Sequence, residues 1–314
     1  MIERKLMLVS GNANRPLAAA IAKKLGIELI PATVGEFADG ETQVKIDQDI
    51  RGGDVFVIQS TSPPVNQNLM ELLIMIDALK RASAERITAV IPYFGYSRQD
   101  RKDQPRVPIT AKLAANLITT ARADRVLTLD LHAHQIQGFF DIPLDHLYAV
   151  NQLVTYLKRR HLRNPVIASA DVGGVKMARR FAAYIGADLA VVDKRRIDSR
   201  QTEVMNILGE VAGRDVLIVD DICATGGSLV EAAAALRKVG ARKVYAAVSH
   251  GLLVDDALTK IESSVLEELW ITDSVFLPKS KRTPKIKVIS IAQLLAEAVK
   301  RIHHDRSISA LFKH

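Results

Sequence analysis

The sequence predicts an α/β protein of two similar domains, each a mainly parallel sheet flanked by helices. Three observations carry that expectation. Short apolar runs alternate with longer amphipathic ones along the chain, the signature of strand–helix–strand units. The 314 residues exceed what one hydrophobic core usually organises, so two domains of about 150 residues each are expected. Aromatic residues make up 5% of a chain that is 48% hydrophobic, so aliphatic side chains must fill the core, as they do where helices pack on parallel strands.

In order, residues 6–9 read as a strand and Gly11-Asn12 as a turn. Residues 15–25 read as a helix with Pro16 in its first turn. A buried strand follows at 54–59. Over 66–81, apolar Leu69, Leu72, Leu73, Ile76 and Leu79 recur at helical spacing. A strand at 86–92, a helix at 109–122 and a strand at 125–130 complete the first half. The second half repeats the pattern: strand 165–169, helix 174–185, strand 188–192, strand 215–220, helix 228–239 and strand 243–248. The boundary is expected near 144–151. That gives an N-terminal domain over 1–147 and a C-terminal domain over 148–314, with the final tail packing back on the first.

The net charge of +8 admits nucleic acid, an anionic membrane or small acidic substrates as partners. Its distribution matters more. Lys194, Arg195 and Arg196 form one cluster, and Arg98, Arg101, Lys102 and Arg106 another. Lys279, Lys281, Arg282, Lys285 and Lys287 form a third, read as a surface loop without a function. The single cysteine, Cys223, excludes an internal disulfide, and no secretory leader is visible, so the cytoplasm is expected. No apolar run approaches the roughly 20 residues of a membrane helix, and no membrane partner is expected.

The most informative stretch is Val216-Leu-Ile-Val-Asp220-Asp221-Ile-Cys-Ala224-Thr225-Gly226-Gly227-Ser228. A buried strand runs into two carboxylates, then a small-residue loop, then a helix. Ligands of open α/β sheets bind beyond the carboxyl ends of the strands. Glycines let backbone N–H groups approach an anion, and the helix start favours negative charge. Adjacent aspartates suit sugar hydroxyls or a metal instead. Together the features describe a site for a sugar phosphate. The plainer reading makes Ser228 a helix cap and the glycines a mere turn, but it leaves two acids at a strand end unexplained. Neither the Walker A nor the dinucleotide spacing is present.

This segment resembles the phosphoribosyl-diphosphate loop of the type I phosphoribosyltransferase fold. The resemblance implies that Asp220 and Asp221 take ribose hydroxyls while Ala224, Thr225, Gly226, Gly227 and Ser228 hold the 5-phosphate. Four further segments resemble the ribose-phosphate diphosphokinase family, and that likeness covers essentially the whole chain. Phe37-Ala-Asp39-Gly40-Glu41 resembles its adenine-binding segment, although the residues alone describe a plain turn. The segment 93–101, with Arg98, Gln99 and Asp100, resembles its ATP site; arginine forks match phosphate oxygens. The segment 129–140 is similar to the family's metal-holding stretch. The resemblance makes His132 a Mg2+ ligand where chemistry alone favours a core histidine, and Asp171 its carboxylate partner. Asp193-Lys194-Arg195-Arg196 follows a strand ending at Val192, where three cations repel one another unless an anion joins them. The resemblance assigns Lys194 and Arg196 to catalysis and also places Arg196 on the sugar phosphate.

Ala224 departs from the family, many of whose members carry an acid there. Residues 197–203 lack the proline common in that loop. The tail, with Ser307 and Ser309, resembles the family's C-terminal segment, where serines help bind an allosteric anion. The implied activity is transfer of the β,γ-diphosphoryl group of ATP to the 1-hydroxyl of ribose 5-phosphate. The implied assembly is a homo-oligomer, a hexamer built from dimers. A phosphoribosyltransferase explains the loop but not the ATP-like segments. A non-catalytic regulatory relative should have lost site residues. A nucleic-acid-binding regulator needs a basic module, and no spare segment supplies one, so no nucleic acid partner is expected.

Overall fold

Strand β1 (Leu6–Ser10) opens a parallel sheet, and its central residues are buried. Helix α1 (Arg15–Leu25) follows: the Leu17 N–H donates to Asn14 Oδ1 at 3.2 Å, and Gly26, at φ +70°, ends the helix in the left-handed conformation. β2 (Ala32–Glu36) and β3 (Thr42–Ile46) pair as an antiparallel hairpin. Then come β4 (Asp54–Ile58), α2 (Val65–Arg81), β5 (Arg86–Ile91), α3 (Thr110–Thr120), β6 (Arg125–Leu129) and β7 (Leu144–Leu147). The five-stranded sheet has the order β1-β4-β5-β6-β7, every pair parallel. β4 is buried throughout, as a strand covered on both faces must be. Protein and structure correspond over residues 4–195 and 204–312, which this computed structural model describes.

The second half begins with α4 (Val150–Arg159), β8 (Val166–Ser169), α5 (Val175–Ile185), β9 (Asp188–Arg195) and β10 (Val204–Leu208). It continues with β11 (Asp215–Cys223), α6 (Gly227–Lys238), β12 (Lys243–Gly251), α7 (Ala257–Ser263), β13 (Leu266–Thr272) and β14 (Ile286–Ile289). Its seven-stranded sheet runs β10-β9-β8-β11-β12-β13-β14 and is parallel except for β10. The core of this sheet is aliphatic around Val216, Ile218, Val244 and Val248. Trp270 is fully buried, and its indole N–H donates to Glu268 Oε2 at 2.8 Å, which satisfies the one polar atom it brings inside.

By contacts the chain forms two compact units, 1–148 with 274–276 and 290–313, and 149–273 with 277–289. The last helix, α8 (Ala292–His303), therefore belongs to the first unit, where it packs on α1. A charged network anchors its end. Arg86 grips buried Asp54 with two nitrogens, at 2.8 and 2.6 Å, and donates to Ile302 O at 2.9 Å and Asp305 Oδ1 at 2.8 Å. The bond to Asp54 first, and then Asp305, raise the Arg86 guanidinium above its ordinary range despite burial.

Three expectations need correction. β9 runs to Arg195 rather than stopping at Val192, because β10 supplies an antiparallel ladder, Val204 opposite Arg195 and Met205 opposite Lys194. β11 runs to Cys223 rather than Asp220, because β12 keeps pace with it to Gly251. In the third basic cluster Lys285 is structural rather than idle. Lys285 Nζ donates to the carbonyls of Ile261, Glu262 and Ser264 at 3.2, 2.9 and 2.9 Å, which caps the end of α7.

Candidate functional site

In the second unit the site residues gather at the carboxyl ends of the central strands. Asp220 and Asp221 lie in the second half of β11, and the Asp221 N–H donates to Asp220 Oδ1 at 2.9 Å. The Asp220 carboxyl is pushed well above the usual carboxylate range. Burial is the largest cause, followed by the charge of Asp221 and its side-chain hydrogen bond; the charge of Asp171 adds to it. Three carboxylates thus feel one another, an arrangement that a cation or a set of hydroxyl donors relieves. Cys223 sits just behind them, buried, with its thiol pushed up to about 12 by desolvation first and Asp220 second. It is a thiol at neutral pH and no nucleophile.

The loop beyond β11 leads into α6 through Gly226, whose φ of +73° few residues other than glycine adopt without strain. No side chain caps the helix, so Ser228 lies within its first turn and is not its cap. The Val230 N–H donates to Gly226 O at 3.0 Å, and the Ala224 carbonyl accepts from the Val254 N–H at 3.0 Å. The first-turn amides of a helix have no intrahelical acceptor. Thr225 and Ser228 are exposed beside them. The Ala224 and Gly226 carbonyls are thus tied to protein while amides and hydroxyls are available to an anion.

Asp171 lies at the start of the connection between β8 and α5 and is exposed. Its Oδ1 accepts from the Gly174 N–H at 2.8 Å, and its carbonyl accepts from the buried Ser169 hydroxyl at 2.5 Å. A methyl on Gly174 would lie 2.6 Å from that hydroxyl, so the turn requires glycine. Lys194 lies in β9 opposite Met205, and Arg196 lies outside the described residues.

In the first unit, Phe37, Asp39, Gly40 and Glu41 form the tip of the β2–β3 hairpin. The Phe37 N–H donates to Glu41 O at 2.8 Å and the Gly40 N–H to Phe37 O at 2.9 Å, with Gly40 at φ +89°. The tip is a turn, but one that holds a phenylalanine ring 51% exposed, available to stack on a base. Arg98 and Gln99 are exposed beyond β5. Gln99 bonds Thr110 Oγ1 through its side chain, and its carbonyl accepts from the Ala111 N–H at 3.1 Å. Asp100 Oδ2 accepts from Gln135 Nε2 at 2.5 Å, which joins this loop to the segment after β6. His132, in that segment, is exposed and not the core histidine that chemistry alone favours. The buried histidine here is His146, 4% exposed.

Sequence reasoning missed the supports of these loops. Buried Glu71 accepts from the Asn12 N–H at 2.6 Å and from Gln59 Nε2 at 2.6 Å, fixing the turn after β1. Its position within an amphipathic helix pattern hid it. Among the described residues no three His, Cys, Asp or Glu side chains form a metal-ligating group, and no helix is long and apolar enough to cross a membrane.

Comparison with known proteins adds independent findings. Residues 6–121 match the family model for the N-terminal domain of ribose phosphate pyrophosphokinase. Residues 190–313 match the phosphoribosyl synthetase-associated domain. Ribose-phosphate pyrophosphokinase 1 of Listeria monocytogenes is 55% identical over 98% of each chain. The ribose-phosphate pyrophosphokinase of Campylobacter jejuni is 51% identical over 98% of this chain and 99% of its own. The crystal structure of phosphoribosylpyrophosphate synthetase from Mycobacterium smegmatis superposes with a TM-score of 0.92 at 40% identity, covering 96% of this chain and 100% of that one.

Proposed function

Since the chain belongs to the ribose-phosphate pyrophosphokinase family, we propose that it is the enzyme that moves the β,γ-diphosphoryl group of ATP onto the 1-hydroxyl of ribose 5-phosphate. The products are AMP and 5-phosphoribosyl 1-diphosphate, a precursor for nucleotide biosynthesis. The observation that carries the reading is the β11–α6 connection. Two mutually repelling aspartates stand beside a glycine-bent loop with free-standing hydroxyls at a helix start. Such a site takes a polyol and a phosphate on one molecule.

Asp220 and Asp221 accept hydrogen bonds from ribose hydroxyls, and residues 224–228 hold the 5-phosphate with amides and hydroxyls. Phe37 stacks on adenine, with Asp39, Gly40 and Glu41 shaping the tip that presents it. Arg98, Gln99 and Asp100 address the nucleotide's polar groups. The ribose 1-oxygen attacks the β-phosphorus in line and AMP leaves. Such transfer needs positioning and charge neutralisation more than covalent help. Lys194 and Arg196 meet the charge that develops on the transferring group.

Mg2+ is the proposed cofactor, and when bound it would neutralise phosphate charge and polarise the β-phosphorus. Exposed Asp171 offers the hard oxygen that this ion prefers, and its charge already bears on Asp220. His132 and Asp171 are each proposed as ligands on the family resemblance. A cytoplasmic homo-oligomer, a hexamer built from dimers, completes the proposal. Replacing Arg196 by Ala should cost roughly 10²–10³ in turnover. Near-normal turnover would remove it from the catalytic role.

A further inference from the structure

We infer that His146 is a positioning residue, which fixes the backbone at Leu131 through an unprotonated Nε2 and thereby sets the turn that presents His132. The inference deepens the proposed function and rests on it for the role of His132.

The β6–β7 ladder ends with Leu129 opposite Leu147. Immediately beyond, the chain turns through Asp130, whose φ of +37° is unusual for a non-glycine residue and persists only where the surroundings hold it. Two successive amides do the holding. The Asp130 N–H donates to Leu147 O at 2.9 Å, the last backbone acceptor of the ladder. The Leu131 N–H donates at 2.9 Å to Nε2 of His146, a side chain standing where backbone pairing has stopped. A backbone N–H can only donate, so Nε2 must be the bare nitrogen and the ring proton of the neutral imidazole resides on Nδ1. Both partners are buried, Leu131 at 5% exposure and His146 at 4%. An apolar side chain of similar volume would fill the space and orphan a buried N–H.

The ring is itself oriented. Its centroid lies 4.5 Å from that of Tyr148 and 5.4 Å from that of His134. The Tyr148 and His134 rings lie 5.9 Å apart, so the three rings form one cluster. The residue that emerges from the held segment, His132, is exposed. The arrangement places an acceptor behind a candidate ligand, one step removed from it.

The test pairs two variants with a measurement on the unmodified protein. In His146→Leu the Leu131 amide should lose its protection from hydrogen exchange while the β6 amides keep theirs. Binding of Mn2+ in the presence of ATP, followed by electron paramagnetic resonance, should weaken roughly 10–100-fold. The KM for ribose 5-phosphate should stay within about twofold, since His146 holds the turn that presents His132 and not the β11–α6 loop. His146→Gln, whose Oε1 can accept where Nε2 does, should restore most of both losses. Unchanged Mn2+ binding in a folded His146→Leu, or no rescue by Gln, overturns the inference. Should the Leu variant not fold, the ¹⁵N shifts of His146 in the unmodified protein decide. A bare Nε2 is expected, and a protonated one overturns the assignment. Failure of the proposed activity is separable: the unmodified protein would then form no AMP, whatever the state of His146.

Discussion

The charge of Asp221 bears on Asp220, and that coupling is measurable. The Asp220 carboxyl is raised above that of the unfolded chain. Its contribution to stability is therefore fully present below the unfolded value and is lost as pH rises through the raised one. Ribose hydroxyls need the ionised pair as acceptors, so affinity for ribose 5-phosphate should fall as pH drops through that raised value. In Asp221→Asn the second-largest cause disappears, the Asp220 value comes down, and the acid limb of the pH–KM profile should move to lower pH. A limb that stays in place, or moves up, contradicts the coupling. Phe37 offers a second residue-scale expectation. Base–aromatic stacking contributes about 1–3 kcal/mol, so Phe37→Ala should raise the KM for ATP roughly 5- to 150-fold with little change for ribose 5-phosphate.

At the scale of elements, the charged network of Asp54, Arg86 and Asp305 binds the end of α8 to β4 and β5 within the first unit. His303 joins it, with Nδ1 2.7 Å from Asp54 Oδ2. Asp54 is fully buried, so Arg86→Ala leaves a charge without its bidentate partner. The loss should be about 3–5 kcal/mol, seen as an earlier urea midpoint for the first unit. Such long-range pairs explain what the sequence did and did not disclose. Helices such as α2 were legible because Leu69, Leu72, Ile76 and Leu79 all face the core at one period. The β2–β3 hairpin was not, because neither strand has a fully buried residue and the apolar content of both is modest. α8 has a strong buried face, but its packing partner, α1, lies at the other end of the chain, so its place in the fold is set by a distant segment. The ends of β9 and β11 escaped because strand length is set by the neighbour, β10 or β12, and not by the strand's own residues. At the site, the acidic pair and glycine loop announced themselves by local chemistry. Glu71 and His146 did not, because their roles exist only once distant segments meet.

For the whole molecule, aliphatic strands in two parallel sheets predicted the fold class, and the structure has it. Full-length similarity to ribose-phosphate pyrophosphokinases supplies the family. The net charge of +8 finds a use in a reaction whose two substrates are both phosphorylated. Transfer of a diphosphoryl group, as opposed to a single phosphoryl, is the central claim, and a phosphorus NMR time course with ATP, Mg2+ and ribose 5-phosphate tests it most directly. AMP rising in step with a sugar 1-diphosphate is the predicted result. ADP as the nucleotide product, or no turnover with inorganic phosphate and a series of divalent metals present, would contradict it.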